Sequence, residues 1–419
     1  MELKLENVGR IKEASIAIDG ITVICGDNNT GKSTVGKILY SIYSAFHNFE
    51  NNVRREKINS MIRGLSSRYY VEGRVFEKAK QIFGEMVDAG NVSDSEIQEA
   101  INAIGKDSRK GLLQEEQGEI AERIRKYLAI QKDEIATVFL ERMLASEFGG
   151  KLANVNTPEK QANVILTLKE GTISFHTSGK EQKVEIDQYF PLRKRLIYLD
   201  DPFILDEAGP RTVYYRSRRA GHREALLDLI MKSVEDHPEN VIEEILREKE
   251  LREIIEKMNE VSNGALRIEN GELVYQHEGL KESLDLISVS TGVKTFAILR
   301  SLLGKGYIEE NGIIVLDEPE VHLHPEWQIR LAEIIVLLQK AYGLNALITT
   351  HSNDFLSAID YYSQKYKGEQ CHFYLTEKTI TNNTSIPMIK IIEKTNDMES
   401  VYASISDPFL KLYGQMEGV

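Results

Sequence analysis

The feature that most constrains this 419-residue chain is a nine-residue interruption between a short apolar run and an amphipathic helical pattern. Ile21-Thr22-Val23-Ile24-Cys25 has the composition of a strand buried on both faces. After the interruption, Ile38, Leu39, Ile42 and Phe46 recur at helical spacing. Between the two stands Gly26-Asp27-Asn28-Asn29-Thr30-Gly31-Lys32-Ser33-Thr34, which fits G-x-x-x-x-G-K-[ST]. Strand, loop and helix in this order predict a phosphate-binding loop. Its glycines let the backbone wrap phosphate groups, and its N–H groups converge at a helix N-terminus. Lys32 is expected to reach the β- and γ-phosphates and the Ser33 hydroxyl to coordinate Mg²⁺. The candidate ATP-binding residues here are Gly26, Asn28, Asn29, Thr30, Gly31, Lys32, Ser33 and Thr34.

A second apolar strand, Ile313-Ile314-Val315-Leu316, ends in two carboxylates, Asp317 and Glu318. Beside a phosphate loop, a strand tip aims one carboxylate at Mg²⁺ and the next at the attacking water. Position along the strand gives Asp317 the metal role and Glu318 that of general base. Further on, the run Asn345 to Thr350 ends at His351, placed to touch the γ-phosphate and position the water. Between these halves, Ser290-Thr291-Gly292 stands ahead of a helix carrying Phe296, Leu299 and Leu303 on one side. It is a second helix N-terminus suited to phosphate, or simply a capped helix.

The rest of the chain reads as an α/β core split by helical insertions. Residues 2–18 alternate apolar and polar like half-buried strands. Residues 50–150 are charged, almost proline-free and helical in pattern. Folded as a hairpin, each arm would be at most roughly 70 Å long, and no sustained heptad supports a longer coiled coil. Strand patterns return at 163–201, helical ones at about 220–262. Asn270-Gly271 between two alternating runs predicts a two-residue hairpin. A helix at about 325–341, strands at 372–378 and 388–394, and a last helix near 398–413 complete the pattern.

Composition excludes several classes. There is no apolar run of the length that spans a membrane and no secretory pattern at the start. Cys25 and Cys371 give no disulfide framework or cysteine metal site. A cytoplasmic location is the default expectation. A net charge of −13 argues against nucleic-acid binding by bulk electrostatics. Local candidates remain in Arg193-Lys194-Arg195 and in Arg216, Arg218, Arg219 and Arg223, which read more readily as a solvated face or as partners for nearby carboxylates. Nucleic-acid binding stays open.

Taken together, G-D-N-N-T-G-K-S-T, S-V-S-T-G-V-K, L-D-E-P-E-V-H-L-H-P and I-T-T-H-S resemble the ABC-type ATPase superfamily. They match its soluble RecF-, SMC- and OLD-like branch, found among ATPases of bacterial antiphage defence, better than its transporters. The resemblance covers about 1–50 and 265–360. It implies an ABC-ATPase head, with a mixed β-sheet core, an antiparallel β subdomain and helical insertions. The expected division is 1–50 for the first part of the core, 51–160 for a mostly helical insertion and 161–205 for a β segment rejoining the core. A helical segment then covers 206–262, and 263–419 holds the signature helix, the catalytic strand, the switch histidine and a β/α tail.

The resemblance further implies ATP and Mg²⁺ as cofactors and catalytic roles for Lys32, Glu318 and His351. Ser290 and Gly292 would contact the γ-phosphate of a second copy, making a head-to-tail dimer or higher assembly. The signature reads S-T-G-V-K where transporters have L-S-G-G-Q. The Q-loop glutamine has no clear counterpart, although Asp200-Asp201-Pro202 falls near its place. His322 and His324 belong to the loop after the catalytic strand rather than to a zinc site. Two functions follow: a sensor or regulatory subunit of a defence system controlling a separate effector such as a nuclease, or a DNA-maintenance ATPase acting directly on DNA.

Overall fold

The computed structural model describes residues 1–66, 73–106, 114–154, 161–178, 182–208, 221–232, 241–366, 371–379 and 387–406. The chain divides into two units. Met1–Ser44, Leu140–Phe190 and Lys194–Val419 form the first, and Ala45–Phe139 with Pro191–Arg193 the second.

Strands β1 (Glu2–Val8), β2 (Ile11–Ala17) and β3 (Ile21–Cys25) lead into helix α1 (Lys32–Phe46). Helices α2 (Phe49–Ser66), α3 (Arg74–Ala89), α4 (Asp94–Gly105), α5 (Gln114–Ala129) and α6 (Lys132–Phe148) follow. Then come β4 (Asn163–Leu168), β5 (Gly171–Ser178), β6 (Lys183–Gln188) and β7 (Leu196–Leu199). A 3-10 segment at Pro202–Glu207 precedes α7 (His222–Met231) and α8 (Val241–Val261). Strands β8 (Gly264–Glu269), β9 (Glu272–His277) and β10 (Leu284–Asp285) lead to α9 (Thr291–Gly304). The remainder is β11 (Ile313–Asp317), α10 (Pro325–Tyr342), β12 (Asn345–Thr350), α11 (Asn353–Lys365), β13 (Cys371–Thr379) and β14 (Met388–Glu393), with helical residues 398–406 after it.

One sheet of the first unit holds eleven of these strands in the order β6-β5-β4-β1-β2-β14-β13-β3-β12-β11-β7. Its β6-to-β2 wing is antiparallel. There Leu3 and Leu5 turn inward while Lys4 and Glu6 do not, the period-2 signature of a sheet face. The other half is parallel: β13, β3, β12, β11 and β7 run side by side in one direction. Strands β3, β7 and β11 are buried along their whole length, as their largely apolar composition predicts. In register, Cys25 lies opposite Thr350 and Leu375, Asp317 opposite Thr349, and Leu316 opposite Leu199. The loops leaving β3, β11, β12 and β7 therefore emerge together at the carboxyl ends of the strands, where open α/β sheets bind ligands.

Helices complete the core. Phe296, Leu299 and Leu303 of α9 are buried in one cluster with Leu316, Ile348 and Phe355, each contributing about 1.5–3 kcal/mol by leaving water. Pro325 occupies the first turn of α10, and Gly343 closes that helix in the left-handed conformation at φ 59°. Strands β8 and β9 are joined by Asn270 and Gly271, at φ 53° and 83°, as the sequence predicts for a tight hairpin.

The second unit is helical. Met61, Leu65, Phe83, Ile101, Ile104, Ile120 and Ile124 form its own core. Ser93 and Glu96 make a reciprocal capping box at the start of α4. Among the described residues its longest helix, α2, has 18 residues and spans about 27 Å. Short helices around a shared core thus stand in place of a two-armed hairpin.

Candidate active site

The phosphate loop leaves β3 through Gly26, at φ +145°, where a Cβ would lie 1.8 Å from Thr376 Oγ1 of β13. Asn29 and Gly31 also have positive φ, 61° and 86°. Turns of this kind make a concave nest of backbone N–H groups that suits anions. Thr30 Oγ1 closes the loop by donating to the Asp27 carbonyl at 2.7 Å. Arg10, from the β1–β2 turn, donates to the Asn29 carbonyl at 2.6 Å. Lys32 is only 4 % exposed. Its Nζ donates to the carbonyls of Gly26 and Asp27 at 2.8 and 2.9 Å, and Glu318 Oε1 lies 3.3 Å away.

Asp317 is held by three hydroxyls. Ser33 Oγ donates to its Oδ1 at 3.0 Å, as does Thr349 Oγ1 at 2.5 Å, while Tyr198 donates to Oδ2 at 2.8 Å. Glu318 follows in the left-handed region at φ 49°, a conformation costing a non-glycine residue on the order of 1–3 kcal/mol. Its N–H is secured by the Thr349 carbonyl and hydroxyl at 3.1 and 3.0 Å. His351, 43 % exposed in its side chain, brings Nδ1 to 3.6 Å from Glu318 Oε1. The structure thus brings Lys32, Ser33, Asp317, Glu318 and His351 to one place.

A cavity of about 220 Å³ opens beside them, lined by Ser33, Asp317 and Glu318 together with Asp200, Asp201 and Thr295. The two aspartates after β7 are neutralised from behind. His222 of α7 lies 2.9 Å from Asp200 through Nε2 and 2.7 Å from Glu147 of α6 through Nδ1. Burial works against a charged imidazole, but hydrogen bonds and charge from Asp200 and Glu147 override it, and the pKa is pushed up to about 9. Burial likewise opposes ionisation of Asp200, but His222 and Arg223 hold its carboxyl below the ordinary range. Arg223 also pairs with Asp201 at 3.3 Å and Glu207 at 3.0 Å.

Ser290 and Gly292 do not line this cavity. Ser290 is exposed and caps α9 without a hydrogen bond from its side chain. Gly292 is buried, and a Cβ there would lie 2.8 Å from the Trp327 ring. Of the basic residues, Lys194 pairs with Glu309 at 3.3 Å, Arg195 stacks on Tyr307 and Arg223 is committed to carboxylates. Arg216, Arg218 and Arg219 lie outside the described residues. His322 meets the edge of Phe203, and His324 caps α10. Among the described residues no group of three or more His, Cys, Asp or Glu side chains is arranged to hold a metal, and no helix is long and apolar enough to cross a membrane.

Sequence reasoning missed Tyr198, Thr349, Glu147 and His222. Thr349 alone had a usable signal, a hydroxyl pair in the otherwise apolar tip of β12.

A phosphate loop at the end of one buried parallel strand, meeting a hydroxyl-bound aspartate and a second carboxylate at the end of another, defines a phosphate-loop ATPase. The chain belongs to the AAA ATPase domain family, whose model matches residues 1–356. It is an ATP hydrolase. Among solved structures it is similar to the SMC head domain from Thermotoga maritima, at 11 % identity and TM-score 0.37, covering 94 % of this chain and 97 % of that one. The Smc head bound to the C-winged helix domain of ScpA aligns at 10 % identity and TM-score 0.42, with 95 % and 98 % covered. The Smc head domain with an extended coiled coil bound to the C-terminal domain of ScpA, from Pyrococcus furiosus, gives 13 % identity, TM-score 0.41, and 96 % and 98 % covered. The family match and the site, rather than these distant likenesses, define the chain.

Proposed function

We propose that two copies of this chain close head-to-tail around two ATP molecules, each held between the phosphate loop of one copy and Ser290 and Gly292 of the other. One observation carries this: Lys32, Ser33, Asp317, Glu318 and His351 converge, while Ser290 is exposed, leaves its hydroxyl unused by its own helix and stands outside the cavity they line. The convergence of Ser33 Oγ and Asp317 Oδ1, two hard oxygen donors, fits Mg²⁺. When bound, Mg²⁺ would neutralise charge on the β- and γ-phosphates.

Lys32 turns from the loop carbonyls to the phosphates. Its attraction to Glu318 then weakens, which frees that carboxylate to take a proton from the attacking water. His351 donates to the γ-phosphate, and Asn28, Asn29, Thr30, Gly31 and Thr34 surround the phosphates. The closed dimer acts as a sensor or regulatory subunit of a bacterial antiphage defence system and controls a separate effector protein. Support for this last step is the likeness of S-V-S-T-G-V-K and E-P-E-V-H-L-H-P to the stand-alone ATPases of such systems.

The test is the solution mass of Glu318→Gln with and without Mg-ATP, with Ser290→Arg added as control. ATP should trap a dimer, or tighten a larger assembly, and Ser290→Arg should abolish the change. A mass indifferent to ATP rejects the composite site. Co-purification of the trapped form with an effector supports the regulatory role; ATP-dependent, salt-sensitive DNA binding by the chain alone replaces it with direct action on DNA.

A further inference from the structure

Glu320 has no part in the roles above, yet it is only 2 % exposed and lies two residues beyond Glu318. Its Oε1 accepts the Thr350 hydroxyl at 2.5 Å and the His351 N–H at 3.2 Å. Thr350 Oγ1 in turn accepts the N–H of Ser352 at 3.0 Å, the residue that caps α11. One buried carboxylate therefore pins the whole turn that carries His351. A second tie runs the other way, from the Glu318 N–H to Thr349. Between them the loops after β11 and β12 are stitched together, and His351 Nδ1 sits 3.6 Å from Glu318 Oε1 and 3.9 Å from Glu320 Oε1.

A carboxylate is a costly way to make these hydrogen bonds. Taking a charge out of water is strongly unfavourable unless partners compensate, and Glu320 Oε2 is buried with no hydrogen-bond partner. Burial pushes the Glu320 carboxyl above the ordinary range, against the hydrogen bonds of Thr350 and the backbone and the charge of His351. A neutral amide would offer Thr350 and His351 the same acceptor at lower cost. What it lacks is negative charge beside the imidazole. The other charged groups here are Glu318, whose Oε1 lies 3.6 Å from the same Nδ1, and Lys32, 3.3 Å from Glu318; the buried Cys25 thiol feels both Glu320 and Lys32.

We infer that Glu320 is a positioning residue for ATP hydrolysis: it fixes the His351 turn through Thr350 and sets a negative charge beside the imidazole Nδ1, holding the ring next to Glu318 for the γ-phosphate. This rests on the roles proposed above for Glu318 and His351.

The test is steady-state ATP hydrolysis by the full chain carrying Glu320→Gln, His351→Ala, both together, or Glu318→Gln. Melting temperature and binding of a fluorescent ATP analogue report fold and affinity. Glu320→Gln should bind ATP within about threefold of wild type and lose about tenfold in kcat. In the His351→Ala background the same change should alter kcat by less than about twofold. Wild-type kcat in Glu320→Gln overturns the inference, as does an equal loss without His351.

If Glu320→Gln fails to fold, Thr350→Val and Thr350→Ser decide. Valine removes the hydroxyl that Glu320 accepts and must lower kcat, serine keeps it and must not, and equal kcat in the two overturns the inference. Wild-type turnover in Glu318→Gln or His351→Ala means that the reading of the site has failed and this inference with it. A loss in those two but not in Glu320→Gln removes this inference alone.

Discussion

Tyr198 donates to Asp317 Oδ2 at 2.8 Å from β7, the strand paired with β11. The carboxylate proposed to hold Mg²⁺ is therefore oriented by the core itself. Ser33 and Thr349 hold its other oxygen, so hydroxyls from three separate elements fix one carboxylate. Burial, with the adjacent Asp317 charge, keeps the Tyr198 phenol well above its ordinary value, and it remains a donor across the working pH range.

Tyr198→Phe removes only that donor. A hydrogen bond to a charged group contributes about 1.5–3 kcal/mol, and some of this is recovered because Ser33 and Thr349 remain. The Mg²⁺ concentration for half-maximal turnover should rise about 5- to 10-fold, with the fold intact by melting. A magnesium titration at fixed ATP measures it, and an unchanged requirement would mean that Ser33 and Thr349 alone suffice to orient Asp317.

Gly26 makes a separate prediction. Alanine there meets Thr376 Oγ1 and must hold φ near +145°, a region open mainly to glycine. Gly26→Ala should lower stability by about 2 kcal/mol or more and abolish ATP binding. Thr376 Oγ1 has no hydrogen-bond partner, so Thr376→Ala alone should change stability by about 1 kcal/mol or less. The double substitution should recover part of the loss, because the clash is gone while the backbone strain stays. Complete recovery in thermal unfolding would mean that strain contributes nothing.

What was legible in the sequence was local. The strand, loop and helix around Gly26–Thr34 are contiguous, and the Asn270-Gly271 hairpin needs only neighbouring residues. Asp317, Glu318 and His351 were legible because each ends an apolar run, and runs of that kind lie side by side in parallel sheets. Sheet order was not legible: placing β14 between β2 and β13 takes pairing across most of the chain. Tyr198 was hidden for that reason, since a tyrosine in Leu-Ile-Tyr-Leu reads as core until β7 is known to flank β11. Glu147, Asp200 and His222 come from α6, the end of β7 and α7, and no periodicity links them. Gly292 shows the opposite case. The sequence suggested a nucleotide contact, and the structure adds a packing reason for glycine, the Trp327 ring against its Cα.

The Glu147–His222–Asp200 cluster predicts how stability depends on pH. His222 is 6 % exposed and carries a carboxylate on each ring nitrogen. Its folded pKa is about 9, against about 6.5 in an unfolded chain. The folded protein therefore keeps a proton that the unfolded chain gives up as pH rises from about 6.5. The stabilisation is complete below about 6.5, declines across that interval and is lost above about 9. A displacement of this size corresponds to on the order of 3 kcal/mol. Denaturant unfolding at pH 6.5 should exceed that at pH 9.5 by this order, and His222→Asn should flatten the curve within the window. An imidazole signal for His222 titrating near 6.5 in the folded protein would show that the two carboxylates do not hold it charged, and the neutralisation of Asp200 beside the cavity would then rest on Arg223 alone.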